Sequence, residues 1–466
     1  MGHGSEYIQI DDVSRTLAAF GFYFSVIGLV SYTLKERLFL GDAVIALLIG
    51  VAVGPIGWNI VSPFDWTDYN DELRNRLTYE LTRIVIGLQV LFTGIALPKA
   101  FLKHAWESLT SLLLIVMTCA WLVSAAFTFA LIPSLTFLEA LCIAACITPT
   151  DPVLANSVVK GRFAEQHIPA HIRNLMQALH LFLWPMSDTW SAVLPNGRSI
   201  GQEIGWWILD IWLYQITLSC AIGAVIGYVA RRAVRIAEEK KLIDHESFLA
   251  IGVGLTFLTL GIVGMIGSDD ILACFIVGNS LYGYMGVRDY FRVRTEDESF
   301  QDVLDSLLNT GIFIYIGTIL PWSDFGSKAA LVFSGWFGPM GVGAVYYAQV
   351  GLRRIPEDRT NLRNLIVPVV YFIVLSSVIV HGVTIPIVKH TPNIYYRTRS
   401  LQITRSLQIT RSLPVTRLTV PAEDVVVDLP DTSPPPIEGT EGQKSPTYPR
   451  PGTMTPKQNP SASNAA

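Results

Sequence analysis

Eleven apolar stretches, each close to the ~20 residues a helix needs to cross a bilayer, dominate this chain. They fall at about 16–33, 39–61, 80–97, 109–132, 137–159, 207–229, 248–266, 270–286, 303–320, 328–350 and 365–388. A twelfth, 175–194, is short and is interrupted by His180, Pro185 and Asp188. With 51% hydrophobic and 15% charged residues over 466 positions, the runs cannot be the core strands or helices of a water-soluble domain. The expected fold is all-α and polytopic, with about 11–12 spans in residues 1–390 and a cytoplasmic, largely disordered tail in 391–466. The net charge of −4 says little, because the charges sit in loops and tail, and nothing points to nucleic acid. The five cysteines all lie in apolar runs without a CxxC, which reads as small buried hydrophobes rather than a disulfide or a metal site. The first residues are polar and acidic, with no basic segment ahead of the first apolar run, so no cleavable leader is expected.

Within the run 137–159 lies Ile147-Thr148-Pro149-Thr150-Asp151-Pro152. An Asp at mid-membrane costs roughly 2.5–3.5 kcal/mol on insertion scales. Pro149 and Pro152 have no N–H, so the carbonyls of Ala145 and Thr148 lose their usual helical donors. Uncoiled backbone at membrane depth is tolerated only inside protein or along a wet cavity. Free carbonyls, the hydroxyls of Thr148 and Thr150 and the Asp151 carboxylate would make an all-oxygen site, suited to a hard cation such as Na+, and Asp151 can also take a proton. The plainer alternative is a proline kink whose Asp pairs with a neighbouring helix.

A second acidic site, Gly267-Ser268-Asp269-Asp270, separates two runs with almost no linker. It reads as a cation or proton site at a helix break, or as a tight extramembrane turn whose acids cap the next helix. His381, deep in the last run, is either a satisfied core group or a proton relay. Tyr371 and Ser376–Ser377 suit helix–helix hydrogen bonding, and the glycines and proline of 335–343 suggest another interruption. Arg231, Arg232, Arg235, Lys240 and Lys241 place the loop after 207–229 in the cytoplasm. The basic segment after the last run places the tail there too. Five spans lie between them where an even number is needed, and the arginines at 353, 354, 359 and 363 add to that conflict. The tail repeats a six-residue unit, Thr-Arg-Ser-Leu-Gln-Ile twice and then Thr-Arg-Ser-Leu-Pro-Val. Its arginines suit an anionic lipid surface, or the repeat has no role.

Several motifs occur in a characteristic order: Lys35-Glu36-Arg37-Leu38, Ser62-Pro63-Phe64-Asp65-Trp66, Thr150-Asp151-Pro152-Val153-Leu154-Ala155, Gly161-Arg162-Phe163-Ala164-Glu165, Pro169-Ala170-His171-Ile172-Arg173, Gly267-Ser268-Asp269-Asp270-Ile271-Leu272-Ala273, Phe337-Gly338-Pro339-Met340-Gly341-Val342 and Val380-His381-Gly382. In this order the segment 35–390 resembles the fungal plasma-membrane Na+(K+)/H+ antiporters of the cation–proton antiporter superfamily. The resemblance implies an inverted-repeat fold with crossed, interrupted helices, and antiport of Na+ or K+ against H+ across the plasma membrane. It makes Thr150 and Asp151 ion ligands, with Asp151 holding Na+ or K+ transiently and no cofactor involved. It also favours an ion-site role for Asp269 and Asp270. Homodimer assembly is left open.

Two family segments have no counterpart: the Ala-Glu-Ser-Gly-x-Asn-Asp-Gly motif expected after Arg173, and an Arg-Arg-Leu-Pro span expected after Leu320-Pro321-Trp322. Asp188 is a poor stand-in for the first. The alternatives are therefore a transport-inactive relative that senses ions or scaffolds partners, or an incomplete gene model. An intramembrane aspartyl protease lacks its paired acidic motifs here.

Overall fold

The computed structural model describes residues 12–38, 42–97, 101–149, 201–202, 205, 208–242, 245–282, 299–325 and 340–390. These residues are helical, with turns between: α1 Asp12–Leu38, α2 Asp42–Val53, α3 Asp71–Ala96, α4 Trp106–Leu131 with a π-helical stretch at Leu112–Met117, and α5 Phe137–Ile147. Then come a π-helical segment Ile208–Thr217 that runs into α6 Leu218–Glu239, α7 His245–Ile266, α8 Asp270–Tyr282, α9 Ser299–Thr318, α10 Val342–Arg354 and α11 Thr360–His390. The all-α expectation holds, and no strand occurs among the described residues.

Among the described residues, four helical stretches, Asp71–Ala96, Trp106–Leu131, Ile208–Ala237 and Thr360–Gly382, are long and apolar enough to cross a bilayer alone. The first and last are inner helices, with 67% and 56% of their apolar windows buried, while Trp106–Leu131 and Ile208–Ala237 are only 24% and 22% buried. The outer two expose Leu114, Ile115, Phe127, Leu213, Val225 and Val229. With no water-driven apolar attraction between helices in lipid, close backbone approach must hold the inner ones together. It does so at α3 against α8, where a Cβ on Gly278 would overlap the Leu91 carbonyl. It recurs at α2 against α9, where a Cβ on Gly317 would overlap the Leu47 carbonyl.

In two expected spans the helix stops within the apolar run. The run 39–61 is helical only to Val53, after which Gly54–Val61 folds back on the helix end through Trp58, Ile60 and Val61 N–H groups to the carbonyls of Ala52 and Val53. The run 137–159 is helical to Ile147. Pro149 cannot supply the donor that Ala145 would need, so the ladder stops there. The run 328–350 is described from Met340 onward, and there a helix begins at Val342, after Gly341. The tail 391–466, its repeats, and the motif segments at 150–173 lie outside the described residues.

Candidate functional site

The approach to the Thr-Asp-Pro stretch is built at the start of α5. Thr136 caps the helix, with its hydroxyl accepting from Glu139 N–H while the Glu139 carboxylate accepts from Thr136 N–H and hydroxyl at 2.8 and 2.9 Å. This reciprocal box satisfies two donors that a helix N-terminus otherwise leaves open. Arg359, in the turn before α11, reaches the other Glu139 oxygen at 3.4 Å, and Asn361 donates to the Ser134 carbonyl at 2.7 Å. From this anchored entry α5 runs inward. Ile143, Ala144, Cys146 and Ile147 are 0% exposed.

Thr148 follows the helix end, one residue before the last described position, Pro149. Its N–H and hydroxyl both donate to the Ala144 carbonyl, at 2.9 and 2.7 Å. With its proton so occupied, the Thr148 oxygen turns lone pairs elsewhere and suits a cation better than an anion. Pro149 is buried. Thr150, Asp151 and Pro152, and with them His180 and Asp188, lie outside the described residues, as does the stretch where the Asn-Asp motif was expected.

The second acidic site is a helix break enclosed by the bundle. Gly267 takes φ +77°, the left-handed conformation open to glycine at a helix end, and its N–H returns to the Val263 carbonyl at 3.0 Å. Ser268 hydroxyl donates to the Tyr214 carbonyl at 2.7 Å. Asp269 then caps α8, accepting from Leu272 N–H at 2.9 Å. Asp270 faces Arg83 of α3, whose Nε donates to it at 2.6 Å and whose Nη2 also reaches the same oxygen. Asp269 and Asp270 are 1% and 5% exposed. The turn therefore carries the cap that the plainer sequence reading expected, but inside the protein rather than outside it.

Arg83 was missed by the reading of the sequence. It has three partners, Asp270, the Leu260 carbonyl at 2.7 Å and Glu80 at 2.9 Å, and Gly264 lies alongside, where a Cβ would overlap its guanidinium. The signal was present, since an arginine inside the run 80–97 needs a carboxylate and Asp270 was already in view. Buried hydroxyls and amides also pair across helices, at Tyr371 as expected and at the other residues without having been singled out. Thr78 bonds Tyr315 at 2.8 Å, Gln349 donates to Tyr371 at 3.3 Å, and Gln89 donates to Asn309 at 2.5 Å. A cavity of about 580 Å³ between α2, α3, α9 and α11 reaches Thr78 and Tyr371.

His381 keeps to its own helix. Its Nδ1 lies 3.2 Å from the Ser377 hydroxyl and 2.9 Å from the Ser377 carbonyl, and Ser377 accepts from Met340 N–H at 2.8 Å. Its neighbour Gly382 packs so tightly on α2 that a Cβ would overlap Val44. The described site residues thus fall in three places, at the end of α5, the α7–α8 break and the inner face of α11. Among the described residues, these places hold buried oxygens, one carboxylate that caps a helix and one held by an arginine.

Residues 24–334 match the family model for the transmembrane sodium/hydrogen exchanger. A probable Na+/H+ antiporter of Schizosaccharomyces pombe is 34% identical over 447 residues, covering 81% of this chain and 56% of its own length. The Na+/H+ antiporter of Saccharomyces cerevisiae is 33% identical over 455 residues, 82% of this chain and 44% of that one. The chain spans about half the length of these curated relatives. In fold it matches the sodium proton antiporter MjNhaP1 of Methanocaldococcus jannaschii with a TM-score of 0.54 and 17% identity, over 80% of this chain and 100% of that one.

Proposed function

The chain belongs to the sodium/hydrogen exchanger family, and on that premise we propose that it is a secondary active transporter that exchanges Na+ for H+ across a membrane. The observation that carries this reading is the burial of the end of α5. Ile147 is 0% exposed and Thr148 7%, so the chain enters Pro149-Thr150-Asp151-Pro152 from the middle of the bundle. On this reading the Asp151 carboxylate holds either a proton or a dehydrated cation. Exclusive occupancy of Asp151 by one or the other is the coupling. Thr148 and Thr150 supply neutral oxygens to the cation form. Exposure alternates as one helix bundle moves against another, as in inverted-repeat transporters.

The finer reading is that K+ also competes at this site, that the membrane is the plasma membrane and the role salt tolerance, and that the protein works as a homodimer. The tail 391–466 would be cytoplasmic, its arginines meeting anionic lipid. The family placement does not favour a transport-inactive sensor or scaffold.

The test is exchange in proteoliposomes. Asp151→Asn should abolish Na+-driven proton movement while the purified protein unfolds at the wild-type temperature. Wild-type exchange by the Asn variant would remove Asp151 from the mechanism. Running the same assay with KCl decides whether K+ is a substrate.

A further inference from the structure

Two polar atoms in the C-terminal half of α3 have no hydrogen-bond partner, the Gln89 side-chain carbonyl oxygen Oε1 and the Thr93 hydroxyl oxygen Oγ1. Gln89 is 2% exposed and Thr93 4%. They stand four residues apart, so they share one face of the helix. Their neighbours Val90, Leu91 and Phe92 are buried and apolar and cannot satisfy them. Elsewhere on α3 the threonines obey the ordinary rule. Thr78 and Thr82 each donate to the carbonyl four residues back, at 2.8 and 2.7 Å. Thr93 departs from that habit, leaving its oxygen and its proton both uncommitted.

α9 supplies the other wall. Its Asn309, 8% exposed, accepts the Gln89 amide N–H at 2.5 Å. The contacts Thr78–Tyr315 and Gln89–Asn309 show that α3 and α9 run antiparallel, since one number rises as the other falls. One turn beyond the Gln89–Asn309 bond, on both helices, come Thr93 and Asp305. Asp305 is also 8% exposed. An amide carbonyl, a hydroxyl and a carboxylate, all buried, thus lie within one helical turn of the Gln89–Asn309 bond along their two helices.

We propose that Gln89, Thr93 and Asp305 form a second monovalent-cation site on the α3–α9 seam, separate from the stretch that ends α5. One carboxylate with neutral oxygens balances a single positive charge. A divalent ion would call for more anionic oxygen than the seam offers. The choice of Na+ as occupant rests on the antiport reading above, whereas the existence of the site rests on the two unpartnered oxygens. The ion would pin α3 to α9.

The experiment uses the full chain, purified in detergent, in the Asp151→Asn background so that the first site cannot contribute. Unfolding temperature is followed in NaCl and in choline chloride at equal ionic strength, and radiolabelled Na+ binding is measured on the same samples. The expected result is a saturable rise in Tm with Na+, lost together with Na+ binding when Thr93→Val or Gln89→Leu is added. Thr93→Val is near-isosteric and removes only the hydroxyl, so it reads the site without opening a cavity. Three results would overturn the proposal: no Na+-dependent rise in the Asp151→Asn protein, a rise that survives both seam substitutions, or a Thr93→Val effect of equal size in both salts, the sign of a bound water. If instead Asp151→Asn alone keeps full exchange, the antiport reading of Asp151 fails and the seam measurement still stands.

Discussion

Arg83 Nε donates to Asp270 at 2.6 Å across 187 residues of sequence, and the pair is buried, with side chains 17% and 7% exposed. This contact ties the middle of α3 to the first turn of α8 at the point where the α7–α8 helix is broken. Removing one partner strands the other charge in the interior, which typically costs about 3–5 kcal/mol, whereas replacing both by apolar groups is often near neutral. Arg83→Leu and Asp270→Leu should each lower unfolding stability by about that amount, and the double variant by much less than their sum. Thermal unfolding of the four proteins in one detergent measures the cycle.

Gly264 is the position that makes room for this arginine. A Cβ there would overlap the Arg83 guanidinium and would also come against Asp270. Gly264→Ala should cost about 1–3 kcal/mol, the usual penalty of overpacking. In an Arg83→Leu background, with the guanidinium gone, the same change should cost far less. An undiminished cost there would mean that the glycine serves backbone packing and not the ion pair.

The reciprocal cap at Thr136 and Glu139 sets the direction in which α5 enters the bundle. Thr136→Ala removes the hydroxyl that accepts from Glu139 N–H and should destabilise by about 1 kcal/mol. Glu139→Ala should cost more. It loses the Thr136 contacts at 2.8 and 2.9 Å and leaves the partly buried Arg359 without its carboxylate. Hydrogen exchange of the α5 amides is the sharper readout, because protection should fall at Ala140–Cys142 while that of α3 holds.

The all-α, many-helix character was legible because a bilayer imposes a length and an apolar composition that few other folds satisfy. The break at Gly267–Asp270 was legible too, since a glycine followed by two acids between apolar runs admits little else. Which way that break faced was not. Whether Asp269 and Asp270 sit in water or in protein depends on Arg83, whose partner lies 187 residues away and obeys no periodicity. The Gln89–Asn309 bond escaped for the same reason, and so did the partner of Tyr371, whose bonding across helices was expected but not to Gln349, since single polar residues in apolar runs give no sign of which helix they meet. The early end of α2 at Val53 turns on Gly54–Val61 folding back to the carbonyls of Ala52 and Val53, hydrogen bonds that leave no hydropathic trace.

Asp269 separates a capping role from an ion-binding one. Its Oδ1 accepts from Leu272 N–H at 2.9 Å, a bond that an asparagine carbonyl can make equally well. Asp269→Asn therefore keeps the cap and removes only the charge, while Asp269→Ala removes both. If Asp269 acted through the cap alone, Asn would leave stability and exchange intact, and Ala would lose about 1 kcal/mol of stability. As an ion-site carboxylate 1% exposed beside Asp270, its charge should matter independently of the cap. The expected outcome is that Asp269→Asn unfolds within a degree or so of the wild type, since the capping bond survives, yet slows Na+/H+ exchange in proteoliposomes by about tenfold, equivalent to about 1.4 kcal/mol in the barrier. Wild-type rates in the Asn variant would reduce Asp269 to a helix cap and leave Asp151 as the sole acid in the exchange cycle.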